Sequence, residues 1–277
     1  MTLVAVLPRH CPRCSRRVFG SQLSKVDLDI HAIDQLLKFP STTKNKMAQL
    51  YFQHGAFVEN DSRLSTLSLG GMAQSGLSSE EGQWSPYYSD YVEYFQRDKF
   101  DYDAIMAAFD DVETDPEQRR AYIVNLLRYS VVPEYMMSLV GLALQLCEEE
   151  DDSASPTLYW DAFAALYIGS LEGASANNPD TNGMMLWQLA NNRARQFNTQ
   201  GNNFVAKVNV EMTDLLFAGQ GQLARRDCIN FDKTSSRVLH LMLVPLIQVI
   251  SFRQCDLNVI IFVFYHEPVF CTYDVIT

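Results

Sequence analysis

Hydrophobic residues between positions 27 and 228 recur with the period of an α-helix. Ile30, Ile33, Leu36 and Leu37 fall on one stripe, and comparable stripes follow along the chain, separated by polar stretches such as the Ser/Gly-rich loop 60–83. Strand patterns are absent from the sequence before residue 238. The pattern therefore predicts an all-α fold, a multi-helix bundle of about eight or nine helices.

Local signals indicate where several of these helices begin and end. Gly55 follows the stripe of the second helix and is a natural C-terminal glycine. Asp115 followed by Pro116 predicts the capped start of a further helix. Pro133 predicts the start of the next helix, which runs to Cys147. The segments before and after Pro133 are thus predicted to be separate helices.

The stretch from Val238 to Tyr265 is apolar and rich in Val, Ile and Phe, but its pattern is not decisive. Pro245, Arg253 and Asp256 interrupt it, which leaves apolar runs of about 14 and 9 residues where a single membrane span needs roughly 18 or more. Three interpretations stay open: two buried strands, a membrane anchor, or a tail foreign to the domain because the gene structure is wrong at both ends.

Charge divides the chain into three parts. The 277 residues include 33 acidic and 22 basic side chains, and the net charges are +5 over residues 1–26, −15 over residues 27–228 and −1 over residues 229–277. We therefore expect a basic N-terminal extension without a clear secretory signal, a helical domain at 27–228 and an apolar C-terminal tail. The acidic domain argues against a nucleic-acid partner and favours cations as ligands.

Cysteine usage gives little further direction. Of the six cysteines only Cys147 and Cys228 lie in the central domain, so the sequence does not indicate a disulfide framework. Cys11 and Cys14 have the spacing of half a zinc site, but no second pair completes a tetrahedral set. The motifs typical of nucleotide-binding loops, zinc proteases and serine hydrolases are also absent from the sequence.

Tyrosine and aspartate side chains, which offer hard oxygen ligands, are concentrated in one segment of the chain. Tyr87, Tyr91, Tyr94 and Asp98 fall within about 60° of one another around a helix axis. Phenolate and carboxylate oxygens in such a stripe suit a ferric ion. The alternative is that these tyrosines are core residues whose hydroxyl groups reach the surface.

A second candidate segment spans residues 159–173. Asp161 and Glu172 share a helix face but stand about 16 Å apart along the axis, so one metal ion cannot bridge them. Tyr167 and Glu172, at the end of the helix, are the better candidates. The alternative interpretation is a tightly packed central helix with a polar group at its end.

Two phrases of the chain are specific enough to compare with known families: Gly-Ser-Leu-Glu-Gly at 169–173 and Leu-Ala-Asn-Asn-Arg at 189–193. They resemble the low-iron-inducible periplasmic proteins of algae, a family that includes the domains of diatom phytotransferrins. The resemblance covers about residues 27–228 and implies a periplasmic, extracellular or cell-surface protein that captures ferric iron during iron starvation, in phytotransferrins together with carbonate. Family members carry a secretory signal, and cysteines near 193–200, that this chain lacks.

The residues and the resemblance together give a set of candidate ligands. For Fe(III) we predict the following residues: Tyr87, Tyr91, Tyr167, Glu172 and, as an alternative ligand, His54. For a carbonate anion we predict Arg193, because a guanidinium group forms charge-assisted hydrogen bonds with it. His54 also fits the role of a helix-capping or surface residue, since it precedes a helix-ending glycine.

Three classes of function stay open from the sequence. The favoured one is a non-enzymatic ferric-iron-binding protein, associated with the cell surface or membrane and of undefined oligomeric state. The second is an all-α extracellular interaction or structural protein without a metal site. The third is a redox enzyme, which would need a cofactor or electron donor for which the sequence shows no motif.

Overall fold

The structure, a computed structural model, describes residues 22–39, 41–58, 68–75, 86–149, 155–171, 183–201 and 204–252. Within these ranges the regular structure is helical and there is no strand; β-type pairing in them is limited to an isolated bridge between Gln200 and Ala206. The predicted all-α fold is confirmed. The candidate zinc ligands Cys11 and Cys14 lie outside the described residues.

Ten helices of seven residues or more lie in the described ranges. They are α1 (Val26–Leu37), α2 (Thr42–His54), α3 (Leu69–Ser75), α4 (Pro86–Phe95), α5 (Phe100–Asp110), α6 (Pro116–Glu148), α7 (Pro156–Ile168), α8 (Leu186–Phe197), α9 (Lys207–Ala224) and α10 (Cys228–Phe252).

Two of the predicted helix ends are confirmed by their local geometry. Asp115 caps α6, because its carboxylate accepts the backbone N–H groups of Glu117 and Gln118 at 3.0 and 3.1 Å. Gly55 ends α2 with a φ of 74°, a backbone conformation that glycine adopts without a Cβ penalty. These ends follow from local chemistry, which is why the sequence predicts them.

The prediction that Pro133 begins a helix is confirmed for the α-helical segment Val132–Glu148, which has the proline in its first turn, but this segment is not separate from the preceding one. Helix α6 runs without a break through a π-helical turn at Leu127–Val131, in which the C=O of Leu127 accepts the N–H of Val132 five residues later. Pro133 has no N–H to donate to an α-helical partner, and its ring crowds the preceding turn. The wider π-turn accommodates both effects, so the helix continues instead of ending.

The core centres on α7, which packs against α6 and α9. Trp160 of α7 is 1% exposed, and its indole N–H donates to the C=O of Leu216 at 2.9 Å. Gly219 makes this approach possible, because a Cβ atom there would lie 2.6 Å from the Trp160 ring. Phe163 and Phe231 pack on the same ring, with centroids 5.4 and 5.0 Å away. Helix α7 is therefore the central, closely packed helix of the fold.

Helix α10 contradicts the prediction of strands after residue 238, as far as Phe252. It packs against α9, α8 and α6. Its buried side chains recur at helical spacing and join the main core: Phe231, Val238, Leu241, Met242, Leu246 and Val249. Burial on that face explains the apolar composition, and Pro245 lies within the helix. Residues 253–277 lie outside the described part of the chain.

One helix in the described ranges, α6, is long and apolar enough to cross a membrane. In its most apolar window, 72% of the residues are buried inside the fold. A central helix of a folded core passes the same test of length and composition. The packing of α6 against its neighbours accounts for its apolar character, and this helix adds little to the prediction of a membrane anchor.

A disulfide bond joins Cys147, near the end of α6, to Cys228, the first residue of α10, across 81 positions of sequence. The sequence did not indicate it, because two cysteines so far apart show no pairing pattern. The bond fastens α10 to the rest of the core at the point where the central domain was predicted to end.

Replacing both Cys147 and Cys228 by serine is expected to lower the free energy of unfolding by about 2–4 kcal/mol, because the bond restricts the unfolded chain. Urea unfolding of the two proteins measures the difference. A reductant should lower the stability of the parent chain by a similar amount and leave the double variant unchanged. Equal stability of parent and variant would contradict the expectation.

Candidate functional site

The structure supports a buried position for one tyrosine of the predicted stripe. Tyr91 of α4 is 4% exposed, and its hydroxyl oxygen accepts the backbone N–H of Asp101 at 2.9 Å. Tyr87 lies on the same helix, but its side chain is outside the described part of the structure. Tyr94 is 42% exposed. Of the two tyrosines proposed as ligands on this helix, Tyr91 is therefore the one that can be placed.

Tyr167 lies in a network of amide side chains. It is fully buried, and its hydroxyl donates to Asn209 Oδ1 at 2.7 Å. The Asn209 amide donates in turn to the Trp187 C=O at 2.9 Å and to Asn191 Oδ1 at 3.0 Å. Burial raises the pKa of the Tyr167 phenol. These bonds join α7, α8 and α9, and they fit the alternative interpretation in which Tyr167 packs and orders the core.

The other predicted ligands lie on different elements. His54 is the exposed last residue of α2, and Arg193 is half-buried on α8. Glu172 lies outside the described residues. Tyr91 on α4 and Tyr167 on α7 have separate sets of partners. The described residues of the predicted set thus occur on four helices, and the contacts of Tyr91 and Tyr167 give no common site.

The Gly-Ser-Leu-Glu-Gly phrase has a structural partner that the sequence did not reveal. Asp27 of α1 is buried and accepts the Ser170 hydroxyl and the Leu171 N–H at 2.7 and 2.6 Å. Gly169 adopts a φ of 78°, and a Cβ atom there would lie 2.6 Å from Asp27 Oδ2. Burial raises the pKa of Asp27 although these hydrogen bonds oppose the shift. The start of the phrase therefore ties the end of α7 to α1.

A second group of buried polar residues brings carboxyl and phenol groups together. We call Tyr91, Asp101, Ser130 and Glu134 the acid–phenol cluster. Asp101, at the start of α5, is 3% exposed, and its Oδ2 accepts the Ser130 hydroxyl at 2.7 Å. Its Oδ1 is buried and has no hydrogen-bond partner among the described residues. Burial raises the pKa of Asp101 to about 6, against the hydrogen bonds from Ser130 and Tyr91.

Glu134 is the second buried acid of the cluster. It is 7% exposed, and its Oε1 accepts the Ser138 hydroxyl at 3.2 Å. Burial, and then the charge of Asp101, raise the pKa of Glu134 to about 8. The charge of Asp101 thus opposes the ionisation of Glu134. Near neutral pH Glu134 keeps a proton that a cation could replace.

Helix α6 carries two members of this cluster, Ser130 and Glu134. Ser130 lies within the π-turn, and Glu134 follows it by four residues, so both project from neighbouring positions on one side of α6. Helix α4, which carries Tyr91, packs on the same part of α6. π-Turns often occur at functional sites because they shift side chains out of regular α-helical register.

The acid–phenol cluster offers the chemistry of a hard cation site. Carboxylate and phenolate oxygens are ligands for such ions, and an unpartnered carboxylate oxygen inside the fold is free to accept one. Among the described residues, no three His, Cys, Asp or Glu side chains are grouped to hold a metal ion. A metal bound here would therefore need the phenol of Tyr91 as well as the two acids.

Comparison of the chain with protein-family models, with curated proteins and with solved structures gave no match. The class that the fold and site define is an all-α helical bundle with a buried acid–phenol cluster. The features of this chain that bear on its function are therefore the cluster and the phrases at 169–173 and 189–193.

Proposed function

We propose that this chain is a non-enzymatic ferric-iron-binding protein of iron assimilation, and that the acid–phenol cluster is its metal site. Asp101, Glu134 and Tyr91 are the proposed ligands. One observation carries the proposal: Asp101 presents a buried carboxylate oxygen without a hydrogen-bond partner in the described part of the chain, beside a second buried acid and a phenol.

The charge of the ligands favours a trivalent ion. Burying an anionic group without compensation costs several kcal/mol, so the buried acids lower this cost by keeping protons. When a cation enters, the acids and the phenol release their protons, and the resulting anionic oxygens gain most from a high positive charge. Fe(III) meets this requirement and accepts hard oxygen ligands.

Two further observations support the proposed setting. Disulfides persist mainly outside the reducing cytosol, and the Cys147–Cys228 bond is consistent with a periplasmic, extracellular or cell-surface location. The phrases at 169–173 and 189–193 resemble iron-capture proteins of that compartment. Carbonate with Arg193 as its partner stays part of the proposal, to be tested by adding bicarbonate.

The decisive experiment is a titration of the full chain with ferric citrate, with and without bicarbonate. A saturable visible absorption band, typical of phenolate bound to iron, is the expected result. Asp101→Asn should weaken binding by more than about 100-fold, since the loss of an outer-shell partner alone costs 10- to 100-fold. The variant should stay folded, because the amide has the size of the acid and needs no burial of charge.

Tyr167→Phe is the matched control. It removes a buried hydroxyl from the amide network and is expected to lower stability by about 1–3 kcal/mol while the iron band persists. If the absorption band is lost in Tyr167→Phe but kept in Asp101→Asn, the metal binds near Tyr167 and not in the acid–phenol cluster. If the parent chain gives no band and no metal-induced change in melting temperature, the all-α interaction protein without a metal site becomes the better proposal.

A further inference from the structure

We propose that the outer face of α2 is a docking surface for a membrane that carries anionic lipids. Five residues at its start and along its exposed side form this surface: Phe39, Lys44, Lys46, Met47 and Leu50. We call them the lysine-bordered stripe. The proposal is independent of the ferric site, since none of the three proposed iron ligands lies on this helix.

Buried and exposed positions lie on opposite sides of α2. Ala48 and Phe52 are fully buried in the core, whereas Met47 and Leu50 are 41% and 53% exposed. At about 100° per residue, Met47 and Leu50 lie about 60° apart around the helix axis, and each lies at least about 100° from both buried residues. Two apolar side chains therefore share the face of α2 that points away from the core.

Lysines border these apolar side chains on both sides. Lys46 lies about 40° from Leu50, and Lys44 lies about 60° from Met47 in the other direction. The Lys44 Nζ is 3.8 Å from the ring centroid of Phe39, which is 57% exposed and extends the apolar surface at the start of α2. Lysines at such borders lay their stems along apolar surface and direct their ammonium groups outward.

This face is basic although the domain that carries it is acidic. Residues 35–58 include three lysines and no Asp or Glu, whereas residues 27–228 have a net charge of −15. Lys38 is paired with Asp34 at 3.3 Å, but Lys44 and Lys46 form no ion pair within the described ranges. An anionic membrane therefore attracts this face, and the negative charge of the domain disfavours other orientations.

The size of the stripe favours a lipid surface over a protein partner. Helix α2 has 13 residues and is about 20 Å long and about 10 Å wide, so one face offers roughly 200 Å². Each partner in a stable protein complex buries about 800 Å². A membrane interface needs less area, because apolar side chains enter the headgroup region while lysines contact the lipid phosphates.

The test is co-sedimentation of the metal-free full chain with lipid vesicles. We expect binding to vesicles of equal parts phosphatidylcholine and phosphatidylglycerol, weak binding to phosphatidylcholine alone, and release at high salt. Met47→Gln combined with Leu50→Gln should weaken binding by about 10-fold or more, because apolar burial is lost. Lys44→Gln combined with Lys46→Gln should weaken it by about 25-fold, because each lysine contributes about five-fold.

Two matched controls lie on other helices. Val210 and Phe217 of α9 are 45% and 47% exposed, with the exposed Asp214 between them. Val210→Gln combined with Phe217→Gln removes more apolar surface than the stripe variant and should leave vesicle binding unchanged. Lys233 is an exposed lysine of α10 beside Asp232, and Lys233→Gln should also leave it unchanged.

Several outcomes would overturn the proposal. The parent chain could fail to bind anionic vesicles, both stripe variants could bind as well as the parent, or the controls could lose as much binding as the stripe variants. A parent dimer that dissociates in the variant of Met47 and Leu50 would instead make the stripe an interface between copies. Thermal unfolding checks the fold of each variant, and glutamine keeps the helix propensity. Ferric binding should be the same in all of them, so either proposal can fail alone.

Discussion

The free energy of unfolding of the metal-free protein is expected to fall as the pH rises from about 4 to about 8, and Glu134→Gln should remove most of that fall. Burial raises the native pKa of Glu134 to about 8 from its ordinary value of 4.5, so the native state binds this proton more tightly than the unfolded state does. The proton on Glu134 stabilises the native state fully at a pH below the pKa of the unfolded state. This stabilisation is lost as the pH rises to the pKa of the native state. The loss amounts to a few kcal/mol, because each unit of difference is worth about 1.4 kcal/mol.

Urea unfolding between pH 5 and pH 8.5 measures this dependence. Asp101→Asn should remove a smaller part of the fall in unfolding free energy, between about pH 4 and pH 6. The native pKa of the Asp101 carboxyl is raised less than that of Glu134, to about 6. Asp111→Asn is the control. Asp111 is exposed, and hydrogen bonds from Thr114 lower its pKa, so the variant should leave the change in stability between pH 5 and pH 8.5 as it is in the parent chain. A parent chain as stable at pH 8.5 as at pH 5 would contradict the expectation. Ferric iron should restore stability at the higher pH, since the metal replaces the protons.

Gly169→Ala is expected to destabilise the protein by about 3 kcal/mol or more. Gly169 has a φ of 78°, which costs a residue with a Cβ atom about 1–3 kcal/mol. The new atom would also lie 2.6 Å from Asp27 Oδ2 and 2.9 Å from Met185 Cγ. Those neighbours must move, and the movement disturbs the two hydrogen bonds that Asp27 accepts from residues 170 and 171. Denaturant unfolding at a fixed pH measures the effect.

Gly221→Ala provides the comparison for this prediction. Gly221 lies in α9, and an added Cβ atom would approach only the flexible end of the Arg225 side chain, at 3.4 Å. Alanine also has the higher helix propensity, so the change should be neutral or slightly stabilising. If Gly169→Ala and Gly221→Ala lose similar amounts of stability, the backbone conformation and close contacts of Gly169 do not determine the effect of its substitution.

The fold could be predicted where local chemistry decides the structure. The period of the hydrophobic residues predicted the helices, Asp115 predicted the cap of α6, and Gly55 predicted the end of α2. The errors arose where packing overrides a local signal. Pro133 ordinarily begins or breaks a helix, but the π-turn absorbs it. The Val- and Ile-rich composition after residue 238 is typical of strands, yet the buried positions of α10 recur at helical spacing.

The candidate site could be predicted only in part, because it depends on contacts between distant segments. The tyrosine stripe pointed to Tyr91, which belongs to the cluster. Asp101 and Glu134 lie on different helices, and neither spacing nor composition pairs them. The hydrogen bond from Ser130 to Asp101 joins residues 29 positions apart, which no sequence pattern indicates. Asp101 lies in the first turn of α5, where acids are common because they interact favourably with the helix dipole, so its position did not distinguish it as a site residue.

The disulfide makes a closed covalent ring of the chain between Cys147 and Cys228. This ring contains α7, α8 and α9, and with them the amide network around Tyr167 and the Gly169 turn. A protease cut anywhere between residues 148 and 227 would therefore open the ring without dividing the molecule. The nicked protein would keep its full mass on a non-reducing gel and separate into two fragments only after reduction, so digestion with and without reductant maps cleavage inside and outside the ring.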